Sequence, residues 1–319
     1  MFYSIRHLTR FRYTSPVSES LMEVRMHPRT EAEQRCLSFQ LLVDPRTRIH
    51  TYRDYLGNSI HHFDVPAKHL ELRIVAEALV EIAAPPELPV ALTPESWAHL
   101  DAEVAAGDYW ETLMPSTFAQ PGEGLLSLIE PLRVSRRDDP LTFLRELNVA
   151  IYEWFEYAPK STRVDSPIDH AIEARKGVCQ DFAHIMTALV RHVRIPCRYV
   201  SGYMYPRSEQ QDRSPEGATH AWVEALLPGQ GWIGFDPTNN VLAGDRHIRT
   251  AIGRDYADVP PTKGIFKGTT ESQLTVSVQI APSKAPPPPE SDMIAIPGEW
   301  EAAAIAAATE AEQQQQQQQ

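Results

Sequence analysis

Hydrophobic side chains recur at every second position through the first part of the chain. Tyr3, Ile5, Phe11 and Tyr13 share one parity, and Arg6, Arg10 and Arg12 take the other. Leu37, Phe39, Leu41 and Val43 alternate likewise, and the longest run is Leu70, Leu72, Ile74, Ala76, Ala78, Val80 and Ile82. A period of two sends successive side chains to opposite faces, so these runs predict strands with one buried face. Asp54-Tyr55-Leu56-Gly57-Asn58, between two such runs, predicts a turn. Residues 1–83 are expected to form a small antiparallel β domain, and the prolines at 85, 86 and 89 mark 84–92 as a linker.

Beyond the linker the period becomes helical. Thr93-Pro94 pairs a capping residue with a first-turn proline, and weakly helical segments run to about residue 138. Asp139-Pro140 opens a stronger helix, with Leu144, Leu147, Ile151, Trp154 and Phe155 on one face. Ser166-Pro167 opens a short helix that Gly177 is expected to end. After Cys179, Phe182, Ile185, Met186, Leu189, Val190 and Val193 form the stripe of a buried helix, which stops before Pro196. Strands are predicted at 197–205, 218–227 and 231–236, and at 273–280, where Leu274, Val276, Val278 and Ile280 alternate. Helices followed by an antiparallel sheet make residues 93–282 an α+β domain. The last segment, 283–319, holds Pro286-Pro287-Pro288-Pro289, an alanine-rich stretch and seven terminal glutamines, a composition that predicts a disordered tail.

Charge narrows the partners. Lys and Arg number 30 against 42 Asp and Glu, a formal net charge of −12 over 319 residues. Nucleic acid and anionic membrane both call for basic surface, so neither is expected as a main partner. Three cysteines, Cys36, Cys179 and Cys197, do not make a disulfide framework. The first residues lack an apolar leader, and no run of about 18 apolar residues occurs, so a cytoplasmic protein without a membrane span is expected.

Cys179 carries the chemistry. It lies in Arg175-Lys176-Gly177-Val178-Cys179-Gln180-Asp181-Phe182-Ala183-His184, at the start of the striped helix. His220 and Asp236 follow on two predicted strands, in Thr219-His220-Ala221-Trp222-Val223-Glu224 and Gly231-Trp232-Ile233-Gly234-Phe235-Asp236-Pro237-Thr238. Thiol, imidazole and carboxylate in that arrangement suit nucleophilic catalysis. A helix N-terminus and a nearby imidazolium both favour the thiolate. A hairpin whose turn centres on Pro228 sets His220 opposite Asp236, Trp222 opposite Gly234 and Glu224 opposite Trp232, with all six on one face. Opposed side chains stand about 4.5–5.5 Å apart at Cβ, close enough for Asp236 to orient the imidazole. This register requires a loop of odd length or a bulge. The Cys179 backbone N–H is the expected first oxyanion donor, and Gln180, Tyr157 and Trp222 are candidates for the second.

Other readings of the same residues are weaker. Cys179, His184, His192 and Cys197 do not have the paired spacing of a zinc site. Cys36 and Cys197 fit core positions. His184 fits a helix face packed on the sheet, and Trp222 and Trp232 fit either core or the wall of a substrate cleft. No metal and no cofactor are assigned.

These segments resemble the transglutaminase-like superfamily, a branch of the papain-like cysteine enzymes. The likeness extends through Ile195-Pro196-Cys197-Arg198-Tyr199-Val200-Ser201-Gly202-Tyr203, Asn239 after Thr238, and Gly253-Arg254-Asp255-Tyr256-Ala257-Asp258-Val259-Pro260-Pro261. Up to about residue 282 the chain is similar to the bacterial subgroup with an N-terminal β domain. The resemblance implies a papain-like α+β core and a Cys/His/Asp triad at Cys179, His220 and Asp236. No Asp-rich loop of the kind that binds calcium is present. The expected activity is cysteine-dependent hydrolysis of a peptide or isopeptide-like amide through a thioester. The alternatives are transfer to an amine, as in a protein-glutamine transglutaminase, and a non-catalytic assembly module. The N-terminal β domain is the expected surface for a protein partner.

Overall fold

The computed structural model describes residues 1–283 except 160, 163–165, 208–211 and 216. The Pro/Ala/Gln-rich tail lies outside the described residues. The chain begins with six strands: β1 (Phe2–Val17), β2 (Glu19–Val24), β3 (Gln34–Asp44), β4 (His50–Arg53), β5 (Ser59–Val65) and β6 (His69–Ile82). Helices α1 (Ser96–Ala106), α2 (Trp110–Leu113), α3 (Glu123–Ser127) and α4 (Pro140–Trp154) follow. Next come β7 (Glu156–Tyr157), α5 (Ile168–Ala174), β8 (Lys176–Gly177) and α6 (Cys179–His192). The remaining strands are β9 (Cys197–Met204), β10 (His220–Leu227), β11 (Gly231–Asp236), β12 (Val241–Leu242), β13 (His247–Gly253), β14 (Thr262–Lys267) and β15 (Ser272–Pro282).

The alternation in the first part of the chain sorts as expected. Tyr3, Ile5 and Tyr13 are buried, as is the whole run from Leu70 to Ile82 at even positions. β3 departs from the simple pattern. Its register to β6 shifts between Cys36 and Ser38, and Leu37, the extra residue, is exposed. Two four-stranded antiparallel sheets, β15-β1-β6-β3 and β14-β2-β5-β4, enclose a core of Tyr13, Val24, Phe63, Leu72 and Ile74 among others.

The last two strands correct the domain boundary expected at 93–282. β15 pairs with β1 along Tyr3↔Pro282 to Tyr13↔Ser272, and β14 pairs with β2. The chain thus leaves the second unit after about residue 261 and returns to complete the β sandwich. Alternation identifies a strand's buried face but not the strand it pairs with.

The second unit is a five-stranded antiparallel sheet, β12-β11-β10-β9-β13, with α6 packed on it. Asp139 caps α4, its Oδ1 accepting the N–H groups of Leu141 and Thr142 at 2.9 and 3.1 Å. α1 starts at Ser96, two residues past Pro94, after a turn in which the Ser96 N–H donates to the Thr93 carbonyl. α5 ends on Arg175, whose backbone is left-handed at φ 51°, and not on Gly177. Gly177 instead lies in β8, where a Cβ would approach the Asp181 side chain to 2.9 Å. Strand β13 escapes the period-two reading because both of its faces are covered: six of its seven residues are buried. Among the described residues, no helix is long and apolar enough to cross a membrane.

The two units share a buried junction. Tyr3, Ile5, Val80 and Ile82 of the sandwich pack with Tyr203 and Ile248 of the second sheet. The 54–58 turn reaches further. Gly57 turns the chain at φ +78°, Leu56 packs against Val200, Trp222 and Ile252, and Asn58 is fully buried. The Asn58 amide pairs with both backbone groups of Ile252 at 2.8 and 2.9 Å and accepts from Arg29 at 2.7 Å.

Two outcomes are expected. Asn58→Ala leaves the buried Ile252 N–H and C=O without partners and should cost about 3 kcal/mol, read as a lower urea midpoint at unchanged m-value. Truncation after Pro261 strips two paired strands from the sandwich and exposes β1 and β2 as edges. The truncated chain should be aggregated or rapidly proteolysed where the full chain is not.

Candidate active site

The site forms where α6, β10 and β11 converge. Cys179 is the first residue of α6, so its N–H is one of the four first-turn donors that a helix leaves without intrahelical partners. Asp181 fixes this helix start. Its Oδ2 accepts the Val178 N–H at 2.8 Å and the Thr162 hydroxyl at 2.5 Å. β7 runs parallel to β8, pairing Tyr157 with Gly177, which sets Tyr157 beside the same turn.

The β10–β11 hairpin turns through Pro228-Gly229-Gln230, with Leu227 opposite Gly231. The loop has three residues, as the same-face argument requires, but its centre is Gly229 and not Pro228. Glu224 consequently faces Gly234, and Leu226 faces Trp232, two residues away from the expected register. His220 and Asp236 keep the same face as diagonal neighbours, and His220 Nε2 lies 2.7 Å from Asp236 Oδ2. Both side chains are buried. With Nε2 committed to the carboxylate, Nδ1 is the nitrogen left for other partners. Ser214 Oγ stands 3.2 Å from Nδ1, and Cys179 lies near enough to the same imidazole to help raise its pKa.

Asp236 is held by five donors. Oδ2 faces His220 Nε2, the Asn239 amide at 2.8 Å and His247 Nε2 at 3.2 Å. Oδ1 accepts the backbone N–H groups of Thr238 and Asn239 at 3.0 and 3.2 Å. Burial alone would raise this carboxyl's pKa, but the two imidazoles outweigh it and hold the group well below the usual carboxylate range. Burial alone would lower His220, but the Asp236 carboxylate and Cys179 outweigh it and hold the imidazole up at about 10. His220 is therefore the site's cation, and Asp236 its buried counter-charge.

The other predicted residues separate by environment. Gln180 is buried in the first turn of α6. Tyr157 is half-buried, and burial, with Cys179 nearby, raises its phenol pKa. Trp222 is core and not a cleft wall: it is fully buried, stacks beneath His220 at 6.0 Å between centroids, and turns its indole N–H against Gly234. Trp232 lies toward the turn end of the hairpin, under the Arg198 guanidinium at 4.5 Å. His184 packs between Phe118 and Tyr199 and accepts the Tyr256 N–H at 3.1 Å. Burial lowers it to about 3, so it stays neutral. Cys197 is buried in the core and its thiol is pushed up to about 11. Arg254 pairs with Asp258 at 2.8 Å, and Asp255 accepts the Phe118 N–H at 2.7 Å, so both brace the segment that carries Tyr256.

Sequence reasoning missed three neighbours: Ser214, Asn239 and His247. Asn239 was within reach, because Asp236-Pro237-Thr238-Asn239 is a turn in which the carboxylate can cap the N–H groups behind it. Its Oδ1 accepts the N–H groups of Arg213 and Ser214, and its amide donates to Ser214 Oγ at 3.0 Å. His247 gave no local signal. Among the described residues, His220, Asp236 and His247 also form a group whose ligand atoms lie within 4.8 Å of one another, a set that could hold a metal ion. The hydrogen bonds from both rings to one carboxylate oxygen already account for their approach.

The chain matches two family descriptions, the bacterial transglutaminase-like N-terminal region over residues 3–81 and the transglutaminase-like superfamily over residues 132–237. An uncharacterised protein of Mycobacterium leprae is 33% identical over 279 residues, covering 86% of this chain and 96% of the relative. A protein-glutamine gamma-glutamyltransferase of Pseudomonas aeruginosa is 30% identical over 132 residues, 37% of this chain and 19% of that protein. The crystal structure of a candidate cysteine protease from Cytophaga hutchinsonii superposes with a TM-score of 0.70 at 23% identity, covering 88% of this chain and 90% of that one. Sequence likeness along nearly the whole of a relative and a common fold lead to one family: the chain belongs to the transglutaminase-like superfamily and carries that superfamily's bacterial N-terminal region.

Proposed function

We propose that this protein is a cysteine-dependent acyl-transfer enzyme that hydrolyses peptide or isopeptide-like amide bonds. One observation carries the reading: a half-buried cysteine at a helix N-terminus lies near an imidazole whose Nε2 is held at 2.7 Å by a fully buried carboxylate. A helix N-terminus and an imidazole neighbour are the surroundings in which cysteine nucleophiles act.

The reaction then has two halves. The thiolate attacks the amide carbon, and the carbonyl π electrons move to oxygen, where the Cys179 N–H can receive the charge. His220 gives its Nδ1 proton to the leaving nitrogen, the C–N bond breaks, and a thioester remains. Water next attacks the thioester, neutral His220 takes its proton at Nδ1, and the C–S bond breaks to return the thiolate. Asp236 holds Nε2–H throughout and stabilises the imidazolium. Tyr157 and Gln180 are the candidates for a second oxyanion contact.

A second reading keeps the acyl-enzyme and replaces water by an amine. It is supported by the likeness to the Pseudomonas aeruginosa protein named as a glutamyltransferase. Both readings predict the same nucleophile. They part on whether a labelled primary amine enters the product.

Alkylation by iodoacetamide, followed per cysteine by mass spectrometry, tests the nucleophile. Cys179 should react fast at pH 6, with Cys36 and Cys197 lagging because burial pushes both thiols up to about 11. His220→Ala should slow Cys179 at least tenfold. A Cys179 that follows an ordinary thiol profile with a midpoint near pH ~8.5, untouched by the His220 change, sinks the proposal.

The pH dependence has a definite sign. His220 is raised from 6.5 to about 10, so the imidazolium needed as a general acid is fully present below 6.5 and lost as pH rises through about 10. Amide hydrolysis should fall on that alkaline limb. Asp236→Asn removes the charge that opposes desolvation, so the limb should move down by about 3 units.

A further inference from the structure

We infer that His247 is a positioning residue, a second imidazole whose Nε2–H holds the Asp236 carboxylate in its pairing with His220. The inference rests on the reading of Cys179, His220 and Asp236 as the reacting set. It concerns a residue outside that set, one that touches neither the thiol nor a substrate in the mechanism above.

His247 opens β13, opposite Met204 of β9. Its ring is buried. The backbone N–H of Gly244 donates to Nδ1 at 3.3 Å, which leaves Nδ1 as the acceptor and puts the ring proton on Nε2. That Nε2 lies 3.2 Å from Asp236 Oδ2, the oxygen that also faces His220. The two imidazoles stand 6.0 Å apart with the carboxylate oxygen between them, and Trp222 packs against both, stacked under His220 and edge-on to His247 at 5.2 Å.

The charges around His247 decide which ring is the cation. Burial lowers the His247 pKa, Asp236 opposes this, and His220 and Arg246 add to the lowering. Arg246 is itself tied to Asp212 in a buried pair at 2.6 and 2.9 Å. The net direction is down for His247 and up for His220. One carboxylate thus serves one imidazolium. His247 donates a hydrogen bond to the shared oxygen without competing for the proton that the reaction uses. A neutral donor on Oδ2 also tempers the carboxylate's basicity, and with it the affinity of His220 for its proton.

The test uses the full chain with ¹⁵N-labelled histidines, observed by two-bond ¹H–¹⁵N NMR between pH 5 and pH 11. In the wild type, the neutral His247 ring should carry its proton on Nε2 with Nδ1 bare, while His220 titrates near the top of the range. His247→Leu removes the donor, so the His220 midpoint should rise by about half a pH unit or more. His247→Gln returns an amide N–H toward Asp236 and should restore the wild-type midpoint, which a packing role alone would not achieve. A wild-type His247 that titrates above its ordinary 6.5, or whose neutral ring carries its proton on Nδ1, overturns the inference even if neither variant folds. So does a His220 midpoint that is the same in all three proteins. Parallel alkylation of wild-type Cys179 keeps the two ideas apart. An ordinary thiol profile there rejects the proposed enzyme, whereas the ring tautomers and the His220 midpoint judge His247.

Discussion

A carboxylate without solvent contact organises this site. Asp236 is buried beyond the reach of bulk water, and an isolated ion in such surroundings is expensive enough that it would normally take up a proton. It stays ionised because five donors from four residues converge on its two oxygens. Each donor is thereby placed. The Thr238 and Asn239 N–H groups fix the turn after β11, the Asn239 amide ties that turn to Ser214, and the two imidazoles are drawn in from β10 and β13. The satisfaction of one buried charge sets the positions of groups on two strands, a turn and a loop.

That arrangement depends on a sheet built from both ends of the unit and backed by the β sandwich. α6 covers one side of the five-stranded sheet with Phe182, Met186, Leu189 and Val190. On another side Leu56 packs with Trp222, and Trp222 lies directly under His220. The path from the 54–58 turn through Leu56 and Trp222 to the imidazole is continuous packing. The N-terminal region is thus structural support for the site's floor as well as a separate unit. Glu224, two residues past Trp222, is fully buried between Arg198 and Arg249. Burial, the largest influence on this carboxyl, would raise its pKa, but the two guanidiniums outweigh burial and keep it lowered. A compensated ion pair of this kind fixes the relation of β9, β10 and β13 more than it adds stability.

Much of this was legible in the linear chain. The period-two runs identified β1, β3 and β6 of the first 82 residues but not the shorter β2, β4 and β5, and the stripe after Cys179 identified α6 and placed the thiol at its start. Asp139-Pro140 marked the start of α4 by the capping chemistry that the folded chain uses. Local signals of this kind survive in sequence because they depend on residues a few positions apart. The hairpin register was less secure. An odd loop preserved the shared face of His220 and Asp236, but a glycine at φ +70° shifted the turn centre and with it every cross-strand partner by two.

The sequence by itself determined which faces are buried, where α6 begins, and the order of thiol, imidazole and carboxylate. Each follows from side-chain periodicity or from short-range capping. Tertiary structure alone decided that β14 and β15 close the first unit's sandwich, that both faces of β13 are covered, and that His247 stands on Asp236. Nothing near His247 in the chain sets it apart, because its role comes from a carboxylate eleven residues away on a strand that is not its neighbour in the sheet. Strand pairing and the desolvation of a charge are properties of the assembled core. They arise from the summed packing of segments far apart in sequence, which no local pattern encodes.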